Sequence, residues 1–244
     1  MILSQKFRLL TILSIILVIA FISLSLFNYH TAKTSIHREI VSSSLPLLRE
    51  NIYSEIQQDF VPSIHRASMM ANDSFLKSWI LEGEKEVEQL LRYLTEIQQK
   101  YDYFSTFFIS HITRKYYHYN GVLKTIRPED DHDEWYYRFI ESGKEYDLDV
   151  DTNEAAKNKL TIFINYRVED YSGRLLGVTG VGIEMANFSD FLTEKQKKYN
   201  RRIFLVDHDG MIQAHSDNAM ILNTSLFELP GIQSIARTIL KEKS

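Results

Sequence analysis

The 244-residue chain contains no cysteine, four prolines and nine glycines. The absence of cysteine excludes disulfide bonds and thiolate chemistry, which fits either a reducing compartment or an exported domain that does without bridges. Few prolines beside fourteen tyrosines and fourteen phenylalanines predict an ordered chain. The formal net charge of −4 gives no reason to expect nucleic acid as a partner.

Catalytic and metal-binding signatures are also missing. The sequence has no Gly-x-Ser-x-Gly, no phosphate-binding loop and no kinase signature, and its histidines lack metal-ligand spacing. Asp147, Asp149 and Asp151 have the spacing of a calcium loop, but Thr152 and Asn158 replace its required Gly and Glu. We therefore expect no metal, no cofactor and no catalytic residues; an enzyme working through the clustered aspartates is the weaker alternative.

Residues 9–27 form a run of nineteen uncharged residues preceded by Lys6 and Arg8. At about 1.5 Å per residue, a helix of this length nearly spans a hydrocarbon core of about 30 Å. A cleaved signal peptide is the competing interpretation, but its apolar region is shorter and ends in small residues. We expect a cytoplasmic N-terminus over residues 1–8 and an uncleaved transmembrane helix over residues 9–27.

Residues 28–72 are predicted to form a long stalk helix. No glycine occurs between residues 31 and 72, and apolar residues recur there every three to five positions. Pro46 and Pro62 are expected to kink or break the helix. Its apolar stripe can pack on its own domain, on a second copy of the chain, or on both.

Two apolar, β-branched runs within residues 160–183 flank a polar linker at 169–174, which predicts an antiparallel hairpin. Ile162, Ile164, Tyr166 and Val168 share one face, and Thr161, Phe163, Asn165 and Arg167 share the other. The second strand carries three glycines, which usually mark a bulge or a close approach to the backbone. We expect one face to close a core and the other to face a ligand.

The remaining elements give an α/β (α+β) fold. A helix is predicted over residues 84–101, strands over 104–109 and 115–119, and a turn at Asn120-Gly121. Residues 127–134 and 146–151 are acidic, and we expect a solvated loop or ligand-facing carboxylates in the second stretch. Later elements are a helix over 188–199, short strands over 202–206 and 211–214, and a helix over 229–242.

Aromatic and polar residues cluster in the sequence around Trp135 and Tyr136, as in many small-molecule pockets. Asp133 can provide the counter-charge for a cation held against an aromatic face. Asn165 and Arg167 can instead hold a carboxylate. The alternative is that Trp135 and Tyr136 only anchor a core or an interface. The candidate ligand-binding residues are Tyr117, Asp133, Trp135, Tyr136, Tyr146, Asp147, Asn165 and Arg167.

The order of these elements resembles the double Cache sensor domain of bacterial transmembrane receptors over residues 28–242. The residues that carry the resemblance are Phe107-Phe108-Ile109-Ser110, Tyr116-Tyr117, Asp133-Glu134-Trp135-Tyr136, residues 177–183, residues 203–207 and Asp209-Gly210. The resemblance implies two PAS-like modules on one long helix, a membrane-distal one at 73–199 and a membrane-proximal one at 200–244. The proximal module has fewer strands than the family pattern, so we expect a truncated module from a larger receptor.

The sequence of the central hairpin looks most like that of the sensor parts of diguanylate cyclases. Related sequences occur in chemoreceptors and histidine kinases. Amino-acid-binding members carry Arg at the position of Asp133 and Asp at that of Gly182, which argues against an ordinary α-amino acid ligand. The resemblance implies a periplasmic or outward-facing sensor on the bacterial inner membrane, forming a homodimer through the stalk helix. We expect a small polar metabolite, an amine or a small carboxylate; a degenerate module serving only dimerisation is the alternative.

Overall fold

The computed structural model describes residues 2–241, with side chains described for residues 7–58 and 60–241. It contains two compact units, Met1–Gln58 and Asp59–Ser244. The α-helices are α1 (Ile2–Glu39), α2 (Leu45–Ala71), α3 (Ser74–Leu81), α4 (Val87–Tyr101), α5 (Glu134–Ser142), α6 (Met185–Tyr199) and α7 (Ala236–Lys241). The strands are β1 (Ser105–Ser110), β2 (Lys115–His118), β3 (Gly121–Thr125), β4 (Tyr146–Asn153), β5 (Lys159–Glu169), β6 (Leu175–Glu184), β7 (Leu205–Val206) and β8 (Ile212–Ala214).

The first unit is helical. By length and composition α1 contains the one segment of the described chain able to cross a membrane, with a mean hydropathy of 2.8 over its best window. A π-helical turn at Ile40–Ser44 links α1 to α2, and the Leu45 amide donates to the Ile40 carbonyl. Pro46 follows at once; it has no amide to donate and crowds the preceding turn, which explains the wider turn. Pro62 lies inside α2 without ending it.

The second unit is built on one six-stranded antiparallel sheet in the order β3-β2-β1-β6-β5-β4. The predicted hairpin is confirmed as β5 and β6, joined by a turn in which the Asp170 carboxylate accepts the Ser172 and Arg174 amides. The acidic stretch 146–151 is a strand and not a loop, which corrects the first of our two expectations for it. Its aspartates alternate with Leu148 and Val150, a period-2 pattern that suits a strand.

The sheet has two differently covered faces. The α5 face carries Phe107, Ile109, Tyr116 and Val178, which form one buried cluster with Tyr136 and Phe139 of α5. The opposite face, here called the α3/α4 face, carries Phe108 and Tyr117, whose rings both lie nearly perpendicular to the ring of Trp79. The predicted division of β5 into two faces is confirmed, since Phe163 packs on the first cluster while Ile164 points away from it.

A buried carboxylate fastens the α3/α4 face. Glu84, in the connection between α3 and α4, accepts hydrogen bonds from the hydroxyls of Ser110, Thr113 (2.6 Å) and Tyr117 (2.7 Å). Its backbone has a positive φ of 56°. Three hydroxyl donors therefore satisfy a carboxylate that is removed from water, and they fix β1 and β2 against the helices.

The three glycines of β6 mark close approaches, as the sequence predicted. A Cβ added at Gly180 would lie 2.1 Å from the Ile164 carbonyl oxygen and 2.9 Å from the Phe107 ring. At Gly177 it would lie 2.6 Å from the Phe108 ring. Phenylalanine rings and strand backbone thus fill the space beside the glycines.

The last described segment, residues 200–241, has a small core of its own. Ile212, Leu226, Leu229 and Ala236 are buried together. The predicted helix over 229–242 is wrong in its first half, because α7 begins only at Ala236. Gly231, which follows Pro230, has a φ of +82°, and this left-handed conformation does not fit a right-handed helix.

We expect Gly180→Ala to lower the free energy of unfolding by about 2–3 kcal/mol, because the new methyl group overpacks a closed interior. Gly143→Ala is the matched control, since nothing lies within 4 Å of its added Cβ and only the positive φ opposes it. Urea unfolding of both variants checks the difference. An equal loss in the two proteins would show that the close approach at Gly180 is unimportant.

His118 is expected to lower the free energy of unfolding by about 1–2 kcal/mol between pH 7 and pH 5, against an opposite contribution from Asp149, whose pKa burial raises to about 6. His118 Nδ1 accepts the Asn120 amide, its Nε2 lies 3.0 Å from Ser105 Oγ, and burial lowers its pKa from 6.5 to about 4. Between these two pKa values the unfolded chain binds a proton at His118 that the folded chain excludes. The contribution of His118 to stability is therefore fully present above pH 6.5 and is lost as the pH falls towards 4.

Urea unfolding at pH 7 and pH 5 tests this, with His118→Gln as the comparison. Relative to the wild type, the variant should lose less stability as the pH falls from 7 to 5. The pKa of His111 is also lowered, chiefly by burial and then by Arg114, so it adds a loss in the same direction. A pH dependence unchanged in His118→Gln would rule out His118 as the cause.

Candidate functional site

The α5 face of the sheet, beneath helix α5, is walled by aromatic rings. Trp135, the second residue of α5, is half-buried and meets Phe107 and Tyr136 edge to face. Phe163 of β5 meets Phe107 in the same way. Aromatic pairs prefer perpendicular arrangements of this kind, so these contacts give the wall a defined shape.

An ion cluster holds the start of α5 in place. The ammonium nitrogen of Lys124 lies 2.9 Å from Asp133, 2.6 Å from Glu154 and 3.3 Å from Asp130. Asp133, only 2% exposed, also accepts the Arg127 amide at 2.9 Å. Burial alone would lower the pKa of Lys124, but hydrogen bonds to Glu154 and Asp133 and their charges outweigh it and raise the pKa. The ammonium group is therefore permanently charged.

A second polar group lies against Tyr136 of α5. His111 Nδ1 is 3.1 Å from Tyr136 Oη and 3.1 Å from a guanidinium nitrogen of Arg114. Because the guanidinium can only donate, Nδ1 must be unprotonated and the tyrosine hydroxyl donates to it. Arg167 donates to the Ile140 carbonyl at 2.9 Å, so its charge is fixed under the C-terminal half of α5.

Two buried amides near these groups keep an unused hydrogen-bonding atom. Asn165 and Asn153 are each 2% exposed. Within the described part of the chain, Asn165 Oδ1 and Asn153 Nδ2 have no hydrogen-bond partner. Asn153 also lines a small, partly open cavity of about 20 Å³ between the sheet and Trp135. Buried polar atoms without partners are rare, and a bound polar molecule is one explanation for them.

Outside this cavity lies an open, acidic cleft of about 750 Å³ between α5 with β4 and residues 207–222. Asp149 of β4 lies in it, 3.7 Å from Arg138. Burial raises the pKa of Asp149 to about 6; Arg138 opposes this shift, while Asp151 and Asp147 add to it. Among the described residues no group of three or more acidic or histidine side chains is arranged to hold a metal ion.

No protein-family model matches the sequence. Among solved structures, a methyl-accepting chemotaxis protein X matches with a TM-score of 0.64 and 15% identity, over 83% of each chain. The ligand-binding domain of the Pseudomonas aeruginosa amino acid chemoreceptor PctC, in complex with GABA, gives 0.56 and 17%, over 76% of this chain and 80% of that one. The sensor domain of the Vibrio cholerae histidine kinase DctB gives 0.55 and 12%, over 76% and 70%.

The sheet domain has the fold of Cache-type sensor domains. The expected α+β fold class is confirmed, including the long apolar helix at the N-terminus. In this Cache fold, the α5 face is the side of the central sheet that is covered by α5, the helix that contains Trp135 and Tyr136. Sequence identities this low support a common fold and no further common property.

Six of the eight residues predicted for the site lie on or under the α5 face of the Cache sheet. Asp147, Asn165 and Arg167 reach it from β4 and β5, while Asp133, Trp135 and Tyr136 lie at the start of α5. Asp133 lies there as the partner of Lys124.

Tyr117 and Tyr146 are not brought together with these six. Tyr117 points to the α3/α4 face and donates to Glu84. Tyr146 pairs with Tyr166 across β4 and β5 and stacks on its ring, again away from α5. Successive residues of a strand point to opposite faces of the sheet. Tyr117 and Tyr146 therefore point away from α5, because their neighbours Tyr116 and Asp147 occupy the α5 face.

Sequence reasoning missed three residues that define the Cache-fold site: Lys124, Glu154 and Asn153. Glu154 and Asn153 follow the acidic stretch at the end of β4. The prediction of a loop for that stretch gave no reason to place them beside the sheet. Lys124 carried one usable signal, its position in a hairpin. A β-bulge between Tyr116 and Tyr117 shifts the register there and pairs Tyr116 with Lys124.

Lys124→Met is expected to destabilise the fold by about 3–5 kcal/mol, because it leaves Asp133 charged and buried without a counter-ion. Adding Asp133→Asn in the same chain should recover most of that loss. Lys144→Met is the control, since its ion pair with Asp147 is largely exposed and should contribute less than about 1 kcal/mol. Denaturant unfolding of the wild type, Lys124→Met, Asp133→Asn and the double variant measures the coupling, and additive effects of the two substitutions would contradict it.

Proposed function

We propose that this chain is the extracytoplasmic small-molecule sensor of a bacterial transmembrane signalling receptor. The observation that carries the proposal is the α5 face, where aromatic walls enclose buried amides with unused hydrogen-bonding atoms. Such a combination of apolar walls and a few fixed polar groups is typical of ligand sites. The Cache-type fold and the apolar helix at the N-terminus support it.

The proposed ligand site lies between Trp135 and the sheet. Trp135 and Tyr136 wall it, Asn165 offers an acceptor, and Arg167 with Asp147 supplies charge at its margin. Asp133 acts through Lys124, whose ammonium group already neutralises it. A small polar metabolite suits these groups, an amine first and a small carboxylate second; the chemoreceptor domain solved with GABA binds a compound that carries both groups.

Three further parts of the proposal concern the receptor as a whole. We propose that α1 anchors the chain in the inner membrane with the sensor domain outside the cytoplasm. The exposed apolar residues of the stalk, such as Ile36, Val41 and Leu47, support a homodimer through this helix. The cytoplasmic output is proposed to be a diguanylate cyclase, with a chemoreceptor or histidine kinase as the alternative.

One observation favours a second candidate function. The cavity of about 20 Å³ has room for about one water molecule, not for a metabolite. A degenerate Cache module that only supports dimerisation would have a cavity of this small volume. The two candidates differ in whether any small molecule stabilises the folded domain.

The test is a thermal-shift screen of the full chain, reconstituted in nanodiscs, against a library of amines, carboxylates and neutral metabolites. A ligand that binds only the folded state raises the melting temperature. Calorimetry of each hit should then show that Trp135→Ala weakens binding by about 1–3 kcal/mol, as expected for an aromatic anchor.

Tyr146→Ala is the matched control, because it removes a more exposed ring from the opposite face of the sheet. Its affinity should equal that of the wild type. If no compound of any charge class stabilises the protein, the sensor proposal fails and the dimerisation module is favoured. If a hit binds equally to wild type and to folded Trp135→Ala, the ligand site lies elsewhere.

A further inference from the structure

The small cavity beneath Trp135 and the acidic cleft share a wall. Trp135 and Asp151 line both of them. Trp135 is half-buried, with one side against Phe107 and Tyr136 and another towards the cleft. A change in the orientation of this one indole ring would therefore join a space of about 20 Å³ to one of about 750 Å³.

The cleft carries charge of almost one sign. Six carboxylates and a single guanidinium, that of Arg138, line it. The six are Asp131, Glu134, Asp149, Asp151, Asp207 and Asp209. A concave surface of one sign focuses its field and raises the local concentration of opposite charges.

The small cavity supplies an independent observation. Asn153, which is only 2% exposed, lines it and has an unpartnered Nδ2. Its Oδ1 is used, since it accepts the Ala155 amide at 3.1 Å, and this bond fixes the orientation of the side chain. The group left without a partner is an amide N–H donor, which calls for an acceptor atom on a ligand.

The charges beside that donor decide which acceptor fits. Glu154 already shares Lys124 with Asp133 and Asp130, so this group of four side chains keeps a net charge of −2. The Asp151 carboxylate accepts hydrogen bonds from its neighbour Thr152. A ligand carboxylate near Asn153 would face this negative field, whereas an amide or hydroxyl oxygen would not, and an ammonium group would be attracted.

We propose that the acidic cleft is the entrance to the cavity, that Trp135 is the movable wall between them, and that the ligand is an organic cation carrying a neutral hydrogen-bond acceptor. The inference rests on the proposed sensor function and narrows its ligand class. The cation is drawn in by the cleft and stays near Asp151. Its acceptor takes the Asn153 amide, and the aromatic rings enclose the chain between the two groups.

The entrance is tested by fluorescence quenching of Trp135 in the full chain. Caesium chloride or sodium iodide replaces sodium chloride at constant total salt, and the signal of Trp135→Phe is subtracted. The quenching constant for each ion is then divided by the constant that the same ion gives with N-acetyltryptophanamide. Caesium should quench more than iodide. Asp209→Asn with Glu134→Gln should reduce the difference, because four carboxylates then remain beside Arg138, whereas Glu88→Gln with Glu96→Gln on α4 should preserve it. Equal quenching by both ions, or a difference that the cleft substitutions leave unchanged, would overturn the proposal.

The ligand class is tested with four probes: 4-aminobutanamide, butylammonium, butanamide and butyrate. Protein labelled with 5-fluorotryptophan has two ¹⁹F resonances, because the chain contains only Trp79 and Trp135, and Trp135→Phe assigns them. The Trp135 resonance should respond to 4-aminobutanamide at about fivefold lower concentration than to butylammonium, the effect of one neutral hydrogen bond. The Trp79 resonance should not move.

Asn153→Ser separates the donor from the fold, because serine keeps an acceptor for the Ala155 amide, removes Nδ2 and adds no charge. The fivefold preference should fall to about one in this variant. Butyrate or butanamide acting at equal or lower concentration than 4-aminobutanamide overturns the ligand class, as does a Trp135 resonance that no probe moves. If the metabolite screen meanwhile yields an anionic ligand, the sensor function stands and only this inference falls.

Discussion

The arrangement of the α5 face depends on one buried ion cluster. Lys124 on β3 holds Asp133 before α5 and Glu154 after β4, so a single ammonium group connects three separate parts of the chain. Burying a carboxylate is costly unless it is paired and hydrogen-bonded, and Asp133 is both. The position of Trp135, two residues further on, and hence the shape of the cavity follow from this contact.

Local patterns in the sequence were sufficient for the central hairpin and for the two faces of β5. They failed where the structure depends on register between strands. Counting back from the Val122–Tyr117 pair would place Leu123 opposite Tyr116; the bulge places Lys124 there instead. A one-residue shift of this kind leaves no mark in composition or periodicity, because only the three-dimensional packing selects it.

The candidate site shows a related limit. Sequence adjacency grouped Tyr117 with the Trp-Tyr pair, but neighbouring residues on a strand point to opposite faces, and it is Tyr116 that lies on the α5 face. Asp133 was correctly placed near the aromatic wall, yet its counter-charge comes from the chain itself. Whether a carboxylate serves a ligand or a lysine is decided by a partner distant in sequence, which one sequence does not identify.

Strand β4 is also one of the two outer strands of the sheet, and this position has a consequence for self-association. A free strand edge is a template on which another chain can pair, and proteins often protect such edges with charge. Asp147, Asp149 and Asp151 place three carboxylates along this edge. Two copies meeting there would bring like charges together. Asp149 and Asp151, which also line the acidic cleft, therefore oppose aggregation through the sheet together with Asp147. Because the pKa of Asp149 is about 6, this protection weakens in mildly acidic surroundings.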